Sequence, residues 1–424
     1  MTRPTTERTD LQAVPGSAAL DTDLLPVPRR LTGSLLFLLA GLAALGALST
    51  NIILPAFPDM GSDLGVSTKD LGVTLSSFFI AFAVGQLLAG PLSDRFGRRW
   101  LVLGGLAVFL AGSTLCALAT NLPWLVAGRV VQALGVCAAS VLSRAIARDL
   151  FEGEALARTL ALIMVAMAAA PGFSPLLGGA LNHLFGWRGA FVLVGMLGLV
   201  LAVHYVIGTG ETHPADRRAA ISAAAIVKGY ARLLVDPRFI VPAASVSLIL
   251  GGLYTVFATA PAILMDGLGF SSLDLGLFFA TTVFVVFAAG LLAPRLAHRW
   301  GARPVMLAGV ALALTGGALL LTGSQTVTMF SVSLAVFLLG MGMVNPLGTA
   351  ITLQPFGHQA GTASALLGFL QMGSAALAIS IASSLDLPAY TALGAVLAGC
   401  TALSLIVFAT GMRQPPAPPA PAAP

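Results

Sequence analysis

A chain that carries twelve separate apolar runs, each close to the length of a membrane-crossing helix, has very few folds open to it. A helix rises 1.5 Å per residue, so about 20 apolar residues cross the hydrocarbon core. The runs cover residues 32–56, 70–92, 101–120, 123–147, 157–181 and 188–208, then 238–263, 272–295, 304–323, 328–352, 362–384 and 389–411. In lipid every backbone N–H and C=O must be satisfied internally, and runs of this length do so as helices. Composition agrees: 57% of the residues are hydrophobic and 9% are charged, against about 25% charged in a soluble domain. The expected fold class is an all-α polytopic membrane protein with 12 transmembrane helices.

The longest internal polar stretch, residues 209–237, divides the spans six and six. Part of it, around 219–234, has the pattern of a surface helix. The expected organisation is a polar cytoplasmic tail (1–31), a six-helix half (32–208), a cytoplasmic linker (209–237), a second six-helix half (238–411) and a Pro/Ala cytoplasmic tail (412–424). Arg29 and Arg30 before the first run loosely imitate an export signal. The run from Leu31 to Pro55 is too long for a signal core, and eleven spans follow it.

Charge orients the chain. With both termini cytoplasmic, nineteen basic residues fall inside, only Lys69 and Arg188 fall outside, and Arg129 is left within the membrane. The net charge of +5 is spread in small groups between apolar runs, which argues against a nucleic-acid surface. Cys116, Cys137 and Cys400 each sit in an apolar run and suggest neither a disulfide nor a metal site. No Walker-type phosphate loop, metal-ligand spacing or paired nucleophile and base occurs, so we expect neither an enzyme nor a cofactor.

Two stretches repeat. Residues 90–99 read GPLSDRFGRR and residues 294–303 read PRLAHRWGAR, so that Arg95, Gly97 and Arg99 align with Arg299, Gly301 and Arg303 at a constant offset of 204. Both follow the second span of their half, which points to two pseudo-symmetric halves.

The motifs then narrow the family. The loop Gly90-Pro91-Leu92-Ser93-Asp94-Arg95-Phe96-Gly97-Arg98-Arg99 combines helix-reversing glycines with arginines that hold a loop at the membrane surface. Span 4 carries Arg129-Val130-Val131-Gln132 inside an apolar run. A buried arginine costs at least about 2.5 kcal/mol and should face a cavity or a partner. Span 5 carries Pro171, Pro175, Gly178 and Gly179, which weaken the helix and admit close packing. The first of these resembles the signature loop of the major facilitator superfamily, and the other two resemble its span-4 and span-5 elements. The Ser49–Pro58 and Arg144–Phe151 passages, with Asn345-Pro346, Pro355–His358 and Ala360–Met372, resemble more narrowly the Bcr/CflA drug-resistance branch of drug:proton antiporters.

That resemblance implies a multidrug efflux transporter in the bacterial inner membrane. It would act as a monomer, by alternating access and with proton coupling, on small, largely apolar antibiotics of the bicyclomycin or chloramphenicol type. The lipid bilayer, the drug and protons are its implied partners. A major facilitator exporter or uptake carrier for another small metabolite is the alternative. One position departs from the branch: Asn51 stands where an aspartate is usual, and no acidic residue lies in the middle of any run. Asn51, Arg129, Gln132, Tyr254, Phe257, Asn345 and Gln371 are the candidate cavity residues. Asp94 is expected to meet the start of span 11, around Gly361–Ala363.

Overall fold

The computed structural model describes residues 31–214, 218 and 223–411. The expected tails at 1–31 and 412–424 therefore lie outside the described residues, apart from Leu31. Among the described residues fourteen α-helices follow one another: α1 Gly33–Asn51, α2 Phe57–Leu64, α3 Gly72–Phe96, α4 Arg98–Ala117, α5 Leu122–Leu150, α6 Gly153–Phe185, α7 Arg188–Gly208, α8 Ala223–Val235, α9 Pro237–Ala260, α10 Ser272–Trp300, α11 Ala302–Thr322, α12 Val327–Leu353, α13 Ala360–Ser384 and α14 Ala389–Gly411. There is no strand among the described residues. Twelve helical segments are long and apolar enough to cross a membrane. The chain is thus an all-α, twelve-span membrane protein built of two six-helix halves.

Most span boundaries fall within a few residues of the sequence reading, and three of the spans that run longer do so through an irregular turn. The first continues past Pro55 through a 3-10 turn (Leu54–Ala56) and α2, where the sequence reading stopped it at 56. Proline at the first helical positions is compatible with a restart, because its missing N–H would be unpaired there anyway. The seventh is prolonged by a π-helical turn, Pro261–Gly267, and the tenth by a 3-10 turn, Gln354–Gln359. The surface helix expected around 219–234 is observed as α8; residues 219–222 lie outside the described residues.

The two halves use the same joints. Gly97 ends α3 and opens α4 at φ +92°, and Gly301 does the same between α10 and α11 at φ +87°. Side chains rarely adopt that backbone conformation, which explains why glycine recurs at both positions. Asn121 caps α5 and Thr326 caps α12, each accepting from the backbone N–H three residues on. The α4–α5 seam closes on Gly105, Gly112 and Gly135, and the α11–α12 seam on Gly309, Gly316 and Gly340. A Cβ on Gly135 would lie 2.3 Å from the Phe109 nitrogen, and one on Gly340 2.5 Å from the Ala313 nitrogen. Lipid offers little hydrophobic drive between helices, so such backbone contact holds them through dispersion.

The halves meet along two seams, α3 against α13 and α6 against α10. We refer to the end of the bundle carrying Arg95, Arg98, Arg299 and Arg303 as the basic end. The end carrying Asp59, Asp63, Asp274 and Asp386 is the acidic end.

Candidate functional site: the seam between the halves

Arg129 is 0% exposed at the centre of the first half. Its Nη1 donates to Gln132 Oε1 at 2.5 Å and to the Ser49 carbonyl at 3.1 Å, and its Nε donates to the Thr74 carbonyl at 3.5 Å. The guanidinium carbon stands 4.3 Å from the centre of the Phe78 ring. Gln132 in turn donates to Ser113 Oγ at 2.9 Å. One cation therefore ties α1, α3, α4 and α5 together, its charge balanced by carbonyl dipoles and a π face. The expectation that it faces the cavity between the halves is corrected: the side chain is enclosed within the first half, where Nη1 and Nε meet backbone carbonyls of α1 and α3 and Nη2 has no partner. The expected Gln132 partner is present.

Asn51 is also corrected. It is 2% exposed, and its amide donates to the Ala47 carbonyl at 2.8 Å and to Thr50 Oγ1 at 3.1 Å. Its own helix satisfies it, so it lines no cavity in this state.

Tyr254 and Phe257 do not form an open aromatic cavity. They belong to a ladder of rings that runs inside the second half and touches the first half at Phe79. Phe79 of α3 stands 4.5 Å from Tyr254 across the seam; Phe257 and Phe279 are 5.0 Å apart, and Phe278 and Phe330 continue at 5.9 Å. Phe79 was missed by the sequence reading, because a phenylalanine in an apolar helix carries no signal of its partner.

Asn345 does line a cavity. It shares a cleft of about 180 Å³ with Ala168, Phe287, Gly290, Leu291 and Met341, between α6, α10 and α12. Gln371 lies half-buried on α13 without a hydrogen bond among those of the described residues. The buried polar group at the α3–α13 seam is instead Gln86, a residue missed from sequence: its Oε1 has no partner, and Gly368 leaves room for it.

At the acidic end the two halves touch. Ser272 Oγ donates to the Pro55 carbonyl at 2.8 Å, Asn182 donates to Ser272 Oγ at 3.4 Å, and Lys69 Nζ donates to the Leu385 carbonyl at 2.5 Å. Gly179 and Gly276 let α6 and α10 meet backbone to backbone. Pro171, Pro175 and Gly178 lie on the same helix, with Gly178 against the Ile52 carbonyl of α1.

At the basic end, Arg98 gathers Asp94 (2.6 Å), Asp149 (3.1 Å) and Ser93. The expected meeting of Asp94 with the start of α13 is not made here. Arg98, one turn along from Asp94 across the Gly97 reversal, reaches it locally, and Gly361 has nothing within 4 Å of an added Cβ. Gly90, Arg95 and Arg99 complete the loop; Arg95 lies over the Phe96 ring at 5.3 Å.

Glu211 was not foreseen. Its carboxylate accepts from the backbone N–H of Arg98 (2.9 Å) and Arg99 (3.3 Å), capping the start of α4. Partial burial opposes its charge, but the N–H groups of His213, Arg98 and Arg99 and the Arg218 guanidinium outweigh burial and hold the carboxyl below its ordinary value of 4.5. A depressed carboxyl stabilises the fold above the unfolded pKa, and that contribution fades as pH falls through the folded one. Glu211→Gln should therefore lower thermal stability at pH 7 and lose its difference from the unmodified protein as the pH falls through the depressed folded pKa of Glu211. An unchanged melting temperature at pH 7 would remove the tether. Among the described residues no metal-ligating cluster occurs.

The comparisons with known proteins follow the same lines. Residues 39–379 match the family model described as Major Facilitator Superfamily. An uncharacterized MFS-type transporter, YdgK of Bacillus subtilis (strain 168), is 30% identical over 344 residues, covering 80% of this chain and 86% of that one. Multidrug resistance protein D of Escherichia coli (strain K12) is 29% identical over 353 residues, covering 81% and 87%. Multidrug resistance protein MdtL of Salmonella heidelberg (strain SL476) is 29% identical, covering 84% and 90%. Among solved structures, a bacterial homolog of the human lysosomal transporter Spinster, inward-facing and occupied, superposes with a TM-score of 0.69 at 16% identity, covering 89% and 96%. The nucleoside transporter NupG gives 0.68 at 14% identity, covering 89% and 99%.

Proposed function

This chain belongs to the Major Facilitator Superfamily, and from that premise we propose that it is a secondary-active efflux transporter for small, largely apolar compounds. It is a transporter by family and fold, and not an enzyme. The observation that carries the efflux reading is the seam: closed at the acidic end by cross-half contacts, and walled elsewhere by aromatic and aliphatic side chains with few polar anchors. Such walls suit ligands that share shape and apolarity more than a hydrogen-bond pattern. The relatives named multidrug resistance proteins support the same reading.

In this reading the basic end is cytoplasmic, both termini lie on that side, and the membrane is the bacterial inner membrane. The halves rock about the seam and open alternately to each side. The Bcr/CflA branch, with bicyclomycin- or chloramphenicol-like substrates and a monomeric unit, is part of the proposal. The test is drug susceptibility in a host lacking its own pumps, with and without this gene. Unchanged susceptibility across bicyclomycin, chloramphenicol and apolar dyes would leave the metabolite-carrier alternative.

Proton coupling belongs to the same proposal. Asn51 cannot titrate, and the carboxylates nearest the interior are Asp94 and Asp149, held by Arg98. His204, the other titratable candidate, sits against Ser34 Oγ at 3.0 Å, away from the seam. A proton-driven pump of this design therefore carries its proton on a group other than residue 51. Drug accumulation in everted vesicles should then collapse with a protonophore in the unmodified protein. Insensitivity that turns to sensitivity in Asn51→Asp would show instead that the span-1 site has lost its proton.

A further inference from the structure

We propose that Arg144 is an anion site, a guanidinium set to hold the acidic group of a compound whose remaining body is apolar; the substrate assignment rests on the efflux reading. The other arginines that leave water are provided for by the protein. Arg98 holds Asp94 and Asp149, Arg188 holds Asp63, and Arg218 holds Glu211. Arg129 has the Ser49 carbonyl, Gln132 and the Phe78 ring. Arg144 has no counterpart of these. Among the described residues its one polar contact is the thioether of Met167, 3.5 Å from Nη1. A thioether is a weak acceptor and carries no charge. The charge that acts on Arg144 is a second cation, Arg148, one turn along α5.

An arginine near a helix end commonly snorkels, sending its charge back to the headgroups. Arg144 lies less than two turns from the basic end of α5, but its side chain runs the other way. Helical side chains lean toward their own N-terminus, which on α5 is the acidic end. The residue it meets, Met167, stands about four turns into α6 from the basic end. The charge is thus carried inward, to a depth where an unpaired cation is costly. An anion arriving there removes that cost. Arg144 is half-buried, and neither its Nε nor its Nη2 is sealed as Nη2 of Arg129 is. With Nη1 on Met167, the Nε and Nη2 hydrogens remain, and such a pair meets a carboxylate or sulfonate in two parallel bonds.

The surroundings supply the apolar half of the recognition. Met164, Met167 and Ala168 share a face of α6 by their spacing. Ala168 belongs to the wall of the Asn345 cleft, and Met164 is exposed beside it. Flexible thioethers adapt to rings of different outline. The cleft of about 180 Å³ seats one ring-sized group, since an apolar cavity of ~150 Å³ holds benzene. Charge then selects among ligands. No acidic residue lies in the middle of a span, position 51 being Asn, and Asp94 and Asp149 are held by Arg98. A cationic compound finds Arg144 and no counter-charge, whereas an anion finds its partner. The substrate class is therefore an ionised aromatic acid.

The test uses the full chain in dodecyl maltoside and two dyes with the same rings. 8-Anilinonaphthalene-1-sulfonate carries the anion, and N-phenyl-1-naphthylamine lacks it. Equilibrium dialysis against protein-free micelles reads the binding. Arg144→Gln should weaken the sulfonate dye by about tenfold and leave the neutral dye within about twofold. Arg144→Lys keeps the charge without the fork and should fall between. Without dye, Arg144→Gln should melt no lower than the unmodified protein, because it removes an unpaired cation. A lower melting temperature means that the guanidinium already has its partner in the protein, and overturns the site. Unchanged sulfonate affinity, or equal loss of both dyes, overturns it as well. Displacement of the sulfonate dye by phosphatidylglycerol in the micelles shows a lipid headgroup as the occupant, and displacement by inorganic phosphate alone shows a free ion; either overturns the substrate class. Sulfonate dye held through Arg144 but not moved by the reconstituted protein upholds the anion site and sinks the efflux reading.

Discussion

Arg129→Ala is expected to abolish transport and to lower stability by about 2–4 kcal/mol. The substitution strands the Gln132 oxygen and takes a donor from the Ser49 carbonyl in the core of the first half. Each buried group left without a partner costs ~1–3 kcal/mol, partly offset here because the cost of burying the cation disappears. Arg129→Lys should not restore function. A single ammonium cannot bond α1, α3 and Gln132 at once or lie flat on the Phe78 ring, and planarity is what the site uses. The informative variant is Arg129→Met with Gln132→Leu. Removing both partners takes away the stranded oxygen, so this pair should be more stable than Arg129→Met alone. Thermal unfolding in detergent reads the difference. If the double variant is no more stable than the single one, Gln132 is not the partner that matters.

Gly179→Val is expected to cut transport by more than about tenfold while leaving the protein folded and inserted. A Cβ there would stand 2.5 Å from the Ser272 carbonyl of α10, and one on Gly276 would stand 2.5 Å from the Leu176 Cα. Both contacts cross between the halves. Added bulk therefore penalises only the state in which the acidic end is shut, and a shift of a few kcal/mol empties that state. Gly178 stands one residue away and differs in kind. Its Cβ would meet the Ile52 carbonyl at 1.8 Å, inside the first half, so Gly178→Val should fail by unfolding instead. Spin-label distances across the acidic end should lengthen in Gly179→Val. Gly399→Ala, with nothing within 4 Å, is the control and should be neutral or mildly stabilising. Unchanged distances with lost transport would mean that α6–α10 closure is not what Gly179 provides.

The sequence by itself determined the number of spans and their rough positions, because the bilayer demands about 20 apolar residues per crossing and little else supplies them. It also determined the doubled loop: Gly97 and Gly301 recur because both reversals need positive φ. The cost of a charge in an apolar run marked Arg129 as a residue that must have a partner, and Gln132 three residues on was within reach. What the tertiary structure decided was where polar groups point and what they touch. Asn51 could have lined a cavity or bonded its own helix; the identity of the residue permits both, and the fold chose the second. Asp94 could have reached α13, but Arg98 and the Glu211-capped start of α4 lie nearer. Glu211 and Phe79 were invisible because their partners, Arg98 and Tyr254, lie more than a hundred residues away in sequence. Where α10 meets α6 lies beyond any sequence reading for a further reason. The face of α6 carries small and apolar residues along its whole length, and lipid and a neighbouring helix both accept such a face. Only the packing tells which of the two lies against Val165 and which against Gly179.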